Sequence, residues 1–273
     1  MSEASVWIDD VELQSLGVTV RLGSTEPMLP SLREQTLTVP GRHGAYDFGA
    51  YLEPREFELD CVFPRQSYVD LKLQIRSFLG MFLDAYGRPK TVKLRFGDEL
   101  DKYYNVRVSG TIPIERLANL GQFTLPLTAY DPFGYSVRSS EETLTWGDTV
   151  VTFEWNYLLG NDLGGGGQTV QITSAQTRQL YVDGSMVRPT FVLKGAGKSV
   201  KISANGKSFT IADLGGATWT IDGGNYSVLK DGSNALGQMT GDFVELISGN
   251  NNVAISGTAL NFALTVKYRD KYV

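Results

Sequence analysis

A single cysteine and a single histidine in 273 residues leave most catalytic chemistry without its side chains. No disulfide can form within the chain. There is no Cys-x-x-Cys, no histidine pair at ligand spacing and no Gly-x-Ser-x-Gly, so zinc sites and the common nucleophile settings lack their residues. Cys61 falls in the alternating run FELDCVF, which reads as a half-buried strand, and His43 falls in the polar stretch GRHGAY. A cysteine acting as nucleophile needs a base beside it, and nothing in this pattern joins the two.

Long apolar runs are also missing, and none present could cross a bilayer. The first ten residues, MSEASVWIDD, are acidic where a signal peptide is basic and then greasy, so the expectation is a chain made and kept soluble. There is no basic excess either. Net charge is −5; the first 134 residues carry 18 acids against 14 bases, the remainder 12 against 11. A protein that grips nucleic acid needs a phosphate-neutralising surface, which makes nucleic acid an unsuitable primary partner.

What is present divides into two textures. In the first 134 residues, VTVRL (18–22) is strand-like, and Pro27 and Pro30 exclude regular structure from TEPMLPSL. A strand follows, then a Gly-rich turn or long loop around 41–50, then a strand from about 55 to 63. There Phe57, Leu59, Cys61 and Phe63 alternate with Glu56, Glu58 and Asp60, giving one dry and one wet face. Ser67 opens a helix whose apolar residues Tyr68, Leu71, Ile75, Phe78, Leu79 and Phe82 recur at three-and-four spacing; Gly87 and Pro89 end it. Three more strands complete an α+β domain of antiparallel strands covered by one amphipathic helix.

From residue 135 onward the helical signal is gone. Short strand-like runs, among them TFVLK (190–194), SVKIS (199–203), SFTIA (208–212), ATWTI (217–221), FVELI (243–247), NVAIS (252–256) and LNFALTVKY (260–268), are separated by turn signals and predict an all-β sandwich. The boundary is placed at YDPFGYS (130–136), giving domains 1–134 and 135–273, with the last few residues free to return to the first domain.

Three features invite a chemical reading. Gly164 to Gly167 lack the following Lys-Ser/Thr of a phosphate loop and read as a hairpin tip. The acidic groups Asp9/Asp10, Glu141/Glu142 and Asp98/Glu99/Asp101 are solvated faces rather than a calcium loop or a hydrolase pair. Exposed aromatics on a β-sandwich can stack on sugars, with Trp155, Trp219 and Tyr226 the candidates and Trp146, Tyr157 and Tyr181 behind them. A lectin-like module that contacts the host cell surface is therefore the alternative function, and a hydrolase a distant third.

The order of pieces carries a resemblance. The loop VPGRHGAYDFG, the strand REFELDCVF, the helix SYVDLKLQIRSFLGMFLDAYG and the closing FTLPLTAYDPFGYS resemble the N-terminal domain of siphophage distal tail proteins (Dit). The family's glycine loop corresponds to Gly41 to Gly49, and its aromatic-Asp-Pro-aromatic segment to Tyr130 to Phe133. RPTFVLKG, ISANGKSFTIADL, TGDFVELISGNNNVAISG and LTVKYRDKYV are similar to the family's galectin-like, carbohydrate-binding-module-like sandwich. The resemblance implies a non-catalytic virion protein at the tail tip, assembled in the host cytoplasm, without cofactor or metal. It implies a hexameric ring that joins the tail-tube protein to fibre or baseplate proteins and the host-adsorption apparatus, with DNA only as passing cargo and no membrane insertion. Gly41, Arg42, His43, Tyr46, Phe48 and Phe78 are the candidate contacts of that ring.

Overall fold

The computed structural model describes residues 3–21, 23–63, 68–117, 120–140, 142 and 169–273. The chain separates into two compact units, Met1–Gly134 with Val273, and Tyr135–Tyr272. Both are mostly strand, and among the described residues there is one α-helix.

In the first unit the main antiparallel sheet uses β1 (Val6–Ile8), β2 (Thr19–Arg21), β5 (Arg55–Phe63), β6 (Val92–Phe96), β7 (Lys102–Val108) and β8 (Leu120–Ala129), in the spatial order β2-β5-β8-β7-β6-β1. β3 (Leu32–Leu37) and β4 (Tyr46–Leu52) form a separate two-stranded ribbon. The sheet is curled. Val20 and Leu59 from one end and Trp7 and Phe96 from the other line one cavity of about 400 Å³.

The alternation in β5 is realised as read: Phe57, Leu59, Cys61 and Phe63 are all buried, and each is paired across to β8, Cys61 with Phe123 and Leu59 with Leu125. Phe63 stacks on Phe123 at 5.1 Å, and Phe78 of the helix meets both edge-on at 5.9 and 5.6 Å. Burial pushes the Cys61 thiol up to about 12, helped by the neighbouring Asp60 carboxylate, so it is an inert core group.

Helix α1 spans Tyr68–Gly80; the expected start at Ser67 lies outside the described residues. It ends about two turns before Gly87. The amides of Met81 and Phe82 close tight turns onto Phe78 and Leu79, and the Phe82 carbonyl accepts from Lys90 at 2.9 Å. Phe82 is thus buried from beyond the helix, while Leu79, expected in the buried stripe, is exposed.

The second unit is built on two very long strands, β11 (Thr190–Ala204) and β16 (Gly249–Lys267), which pair antiparallel. Each had been expected as two strands. They are continuous because the intervening glycines make bulges rather than turns: the register shifts around Ala196 and Lys198, and Gly195 (φ 137°) and Gly257 (φ 152°) take the irregular backbone. Each long strand changes partner along its length. The early part of β11 pairs β13 (Thr218–Asp222) and the late part β12 (Lys207–Asp213). The early part of β16 pairs β10 (Gln176–Val182) and the late part β9 (Val170–Ile172). The sheet so folds over a single core that includes Phe191, Leu193, Ile202, Phe209, Trp219, Ile255, Phe262 and Leu264. β14 (Ser227–Lys230) pairs β13, and β15 (Met239–Gly241) pairs β12. FVELI, expected as a strand, makes a single bridge, Leu246 to Val187.

Candidate assembly interface

Every residue of β3 is exposed, as is every residue of β4 but Leu52. The sequence pattern predicts a turn or long loop around 41–50, whereas Tyr46–Leu52 is strand. Tyr46, Phe48, Ala50 and Leu52 do alternate with Asp47, Gly49 and Tyr51, but one glycine and one aspartate among seven residues hide the pattern. In the structure Gly41 and Gly44 (φ 83° and 81°) shape the turn, and Gly49 (φ 94°) sits at a bulge opposite Gln35.

The register defines the ribbon's faces. Leu37 lies opposite Tyr46, and Arg33 opposite Tyr51; Leu37 and Arg33 are four apart in one strand, so both pairs share a face. Phe48 between them is 66% exposed. Arg42 lies 3.8 Å from the centre of the Tyr46 ring, and Asp47 accepts the Gly49 amide at 2.8 Å, which pins the bulge. Met28, Leu29, Leu32 and Val39 add exposed apolar side chains to the same segment. An isolated two-stranded ribbon is marginal in water, and these exposed apolar side chains make it the candidate contact surface.

The named candidates divide accordingly. Gly41, Arg42, His43, Tyr46 and Phe48 come together on this ribbon and its turn. Phe78 does not: it is 3% exposed, and its ring is spent on Phe63, Phe82 and Phe123 of its own core. Among the described side chains of the helix, Leu73 and Leu79 are the exposed apolar ones. His43 stands exposed in the ribbon's turn while Cys61 is sealed in the core, so the two do not form a dyad.

Of the aromatic candidates, Trp155 lies outside the described residues, as do Trp146, Tyr157 and the glycines 164–167. Trp219 is 1% exposed and donates its indole N–H to the Leu214 carbonyl at 3.0 Å, so it presents no face to a sugar. Tyr226 is exposed. Among the described residues no three His, Cys, Asp or Glu side chains are grouped to hold a metal. One feature had no sequence signal: Arg55, at 2% exposure, donates to the Tyr104 hydroxyl at 2.9 Å and lies 5.1 Å from its ring centre, with Nε and Nη2 unpartnered.

Residues 11–129, which lie within the first unit and carry most of its curled sheet and the exposed ribbon, match the phage tail protein RIFT-related domain family. The whole chain shares its fold with SPP1 Dit (gp 19.1), described as a paradigm of hub adsorption apparatus in phages infecting Gram-positive bacteria, aligning over 100% of both chains at 14% identity and a TM-score of 0.71. The family resemblance read from the sequence is borne out. Two structures of the phage p2 baseplate in its activated conformation, one with Sr and one with Ca, align over 99% and 100% of the chain. Their identities are 9% and 11% and their TM-scores 0.44 and 0.42, too low to bear on the fold. No curated protein matches the sequence.

Proposed function

We propose that this protein is a non-catalytic structural component of the phage tail tip, a distal tail hub. Copies close into a ring that joins the tail-tube protein to the baseplate or fibre proteins and the host-adsorption apparatus. The observation that carries the reading is the β3–β4 ribbon, whose apolar face is left open to water by its own chain. A surface of this kind that binds a different patch on the next copy makes a head-to-tail contact, which generates a ring when the rotation closes. The family match over residues 11–129 and the distal-tail fold support the same role.

Six copies, a galectin-like second domain, and assembly in the host cytoplasm before incorporation at the tail tip belong to this proposal. DNA is cargo through the ring's axis. The first domain's excess of acids suits a channel that must not hold a polyanion.

Light scattering of the purified chain tests the reading. It should give a multiple of the 30.0 kDa monomer, and the double variant Phe48→Ser/Tyr51→Ser should give the monomer with an unchanged circular dichroism spectrum. A wild-type monomer at every concentration that also fails to bind tail-tube or tip proteins would contradict it.

A further inference from the structure

The hairpin joining β13 to β14 turns through Gly223, Gly224, Asn225 and Tyr226. Asp222 fixes the turn: its Oδ1 accepts the amides of Gly224 at 2.9 Å and Asn225 at 3.2 Å, and its Oδ2 accepts from the Asn225 side chain at 2.7 Å. Two glycines are at hand for awkward backbone, yet the left-handed position, φ 51°, falls to Tyr226. A β-carbon makes that conformation costly, a bulky residue seldom adopts it, and local strain of this kind gathers at ligand sites.

Neighbours hold the ring in place. Phe243 meets it edge-on at 5.4 Å with an interplanar angle of 88°, and the Arg188 guanidinium lies 5.3 Å from its centre. Arg188 is itself anchored, since its Nε donates to Glu245 at 3.0 Å, and Lys207 pairs with the other oxygen of the same carboxylate at 2.7 Å. The result is an aromatic, 52% exposed, held by Phe243 and by the Arg188 guanidinium, which is paired in turn to a Glu245 carboxylate shared with Lys207.

We propose that this cluster is a saccharide-binding site on the second unit, with Tyr226 the platform on which a sugar ring stacks and Arg188, Lys207 and Glu245 the groups that bond its hydroxyls. The chemistry selects the ligand class. A pyranose offers an apolar C–H face rimmed by hydroxyls, which suits one fixed ring beside convergent donors and acceptors. The centre of a protein interface is depleted of charged side chains, whereas here an ion-paired guanidinium sits over the aromatic. Nucleic acid would meet the Glu245 carboxylate beside the two cations.

The site stands apart from the hub reading, because Tyr226 lies in the second unit and the ribbon that carries that reading in the first. The test is saturation-transfer NMR of the full chain against a panel of bacterial wall oligosaccharides, followed by titration of those that bind. At least one pyranose-containing oligosaccharide should receive saturation on its ring C–H protons. Tyr226→Ala should weaken it about tenfold or more, the loss of one stacking platform, and Tyr226→Phe by less than about threefold. Tyr226→Gly, which relieves the backbone, should also lose binding without a lower melting temperature, and each variant should keep the wild-type oligomeric state. Absence of binding across the panel, unchanged affinity in Tyr226→Ala, or binding lost only together with a large fall in melting temperature would overturn the proposal. So would loss of binding to a tail protein in Tyr226→Ala when no saccharide binds the wild type.

Discussion

Asp270 has lost nearly all contact with water. Burial, with the Asp183 carboxylate nearby, raises its carboxyl from the ordinary 3.8 to about 7, even though the Asp183 amide donates to it at 3.0 Å. The folded state therefore binds a proton that the unfolded chain has already released between these two values, and stability should fall as pH rises from about 4 to 7. Asp270→Asn keeps the acceptor and removes the titration. Thermal melts at pH 5 and pH 8 should show the wild type losing stability at the higher pH and the variant losing clearly less; equal slopes would place the effect elsewhere. Two side chains nominated for contact with partners make the complementary point. Phe78 and Trp219 are core residues, and truncating either to alanine should cost about 3–5 kcal/mol in denaturant unfolding. Their burial was partly legible, because both sit at apolar positions of a regular pattern. Arg55 was not: a charge that ends in a core beside Tyr104 leaves no trace in hydrophobic spacing.

At the scale of elements, the sequence announces a strand when one face is dry. β5 alternates strictly and was legible for that reason. The ribbon β3–β4 has no buried face of its own and its second strand carries a bulge glycine, so its pattern reads as a loop. In β11 and β16 the reverse holds: glycine signals a break in the sequence, yet the strands run through it. Gly195 shows why it is not: a β-carbon there would lie 2.5 Å from the Asn261 carbonyl oxygen and 2.7 Å from the Phe262 α-carbon, so the residue is glycine to let two central strands approach. Gly195→Ala should destabilise the protein by more than about 1 kcal/mol, read as a lower urea midpoint with an unchanged slope. The exposed ribbon predicts the contrary behaviour: Phe48→Ser and Tyr51→Ser, made in a monomeric background, should each change unfolding free energy by less than about 0.5 kcal/mol.

For the whole molecule, the recognisable signal lay in the order of pieces rather than in any one of them. A glycine loop, an alternating strand, a helix and an aromatic-Asp-Pro-aromatic segment pointed to distal tail proteins, and the fold agrees. Which residues meet a partner was less readable, since an assembly surface is apolar without being buried in its own chain, and sequence patterns alone count such residues as core or loop. Self-association is the claim on which the hub role depends, and direct imaging tests it best. Electron microscopy of the purified wild-type chain should show closed rings around a hollow axis, and Phe48→Ser/Tyr51→Ser should show isolated particles of 30.0 kDa. Isolated particles from the wild type at all concentrations, or rings that persist unchanged in the double variant, would contradict the account.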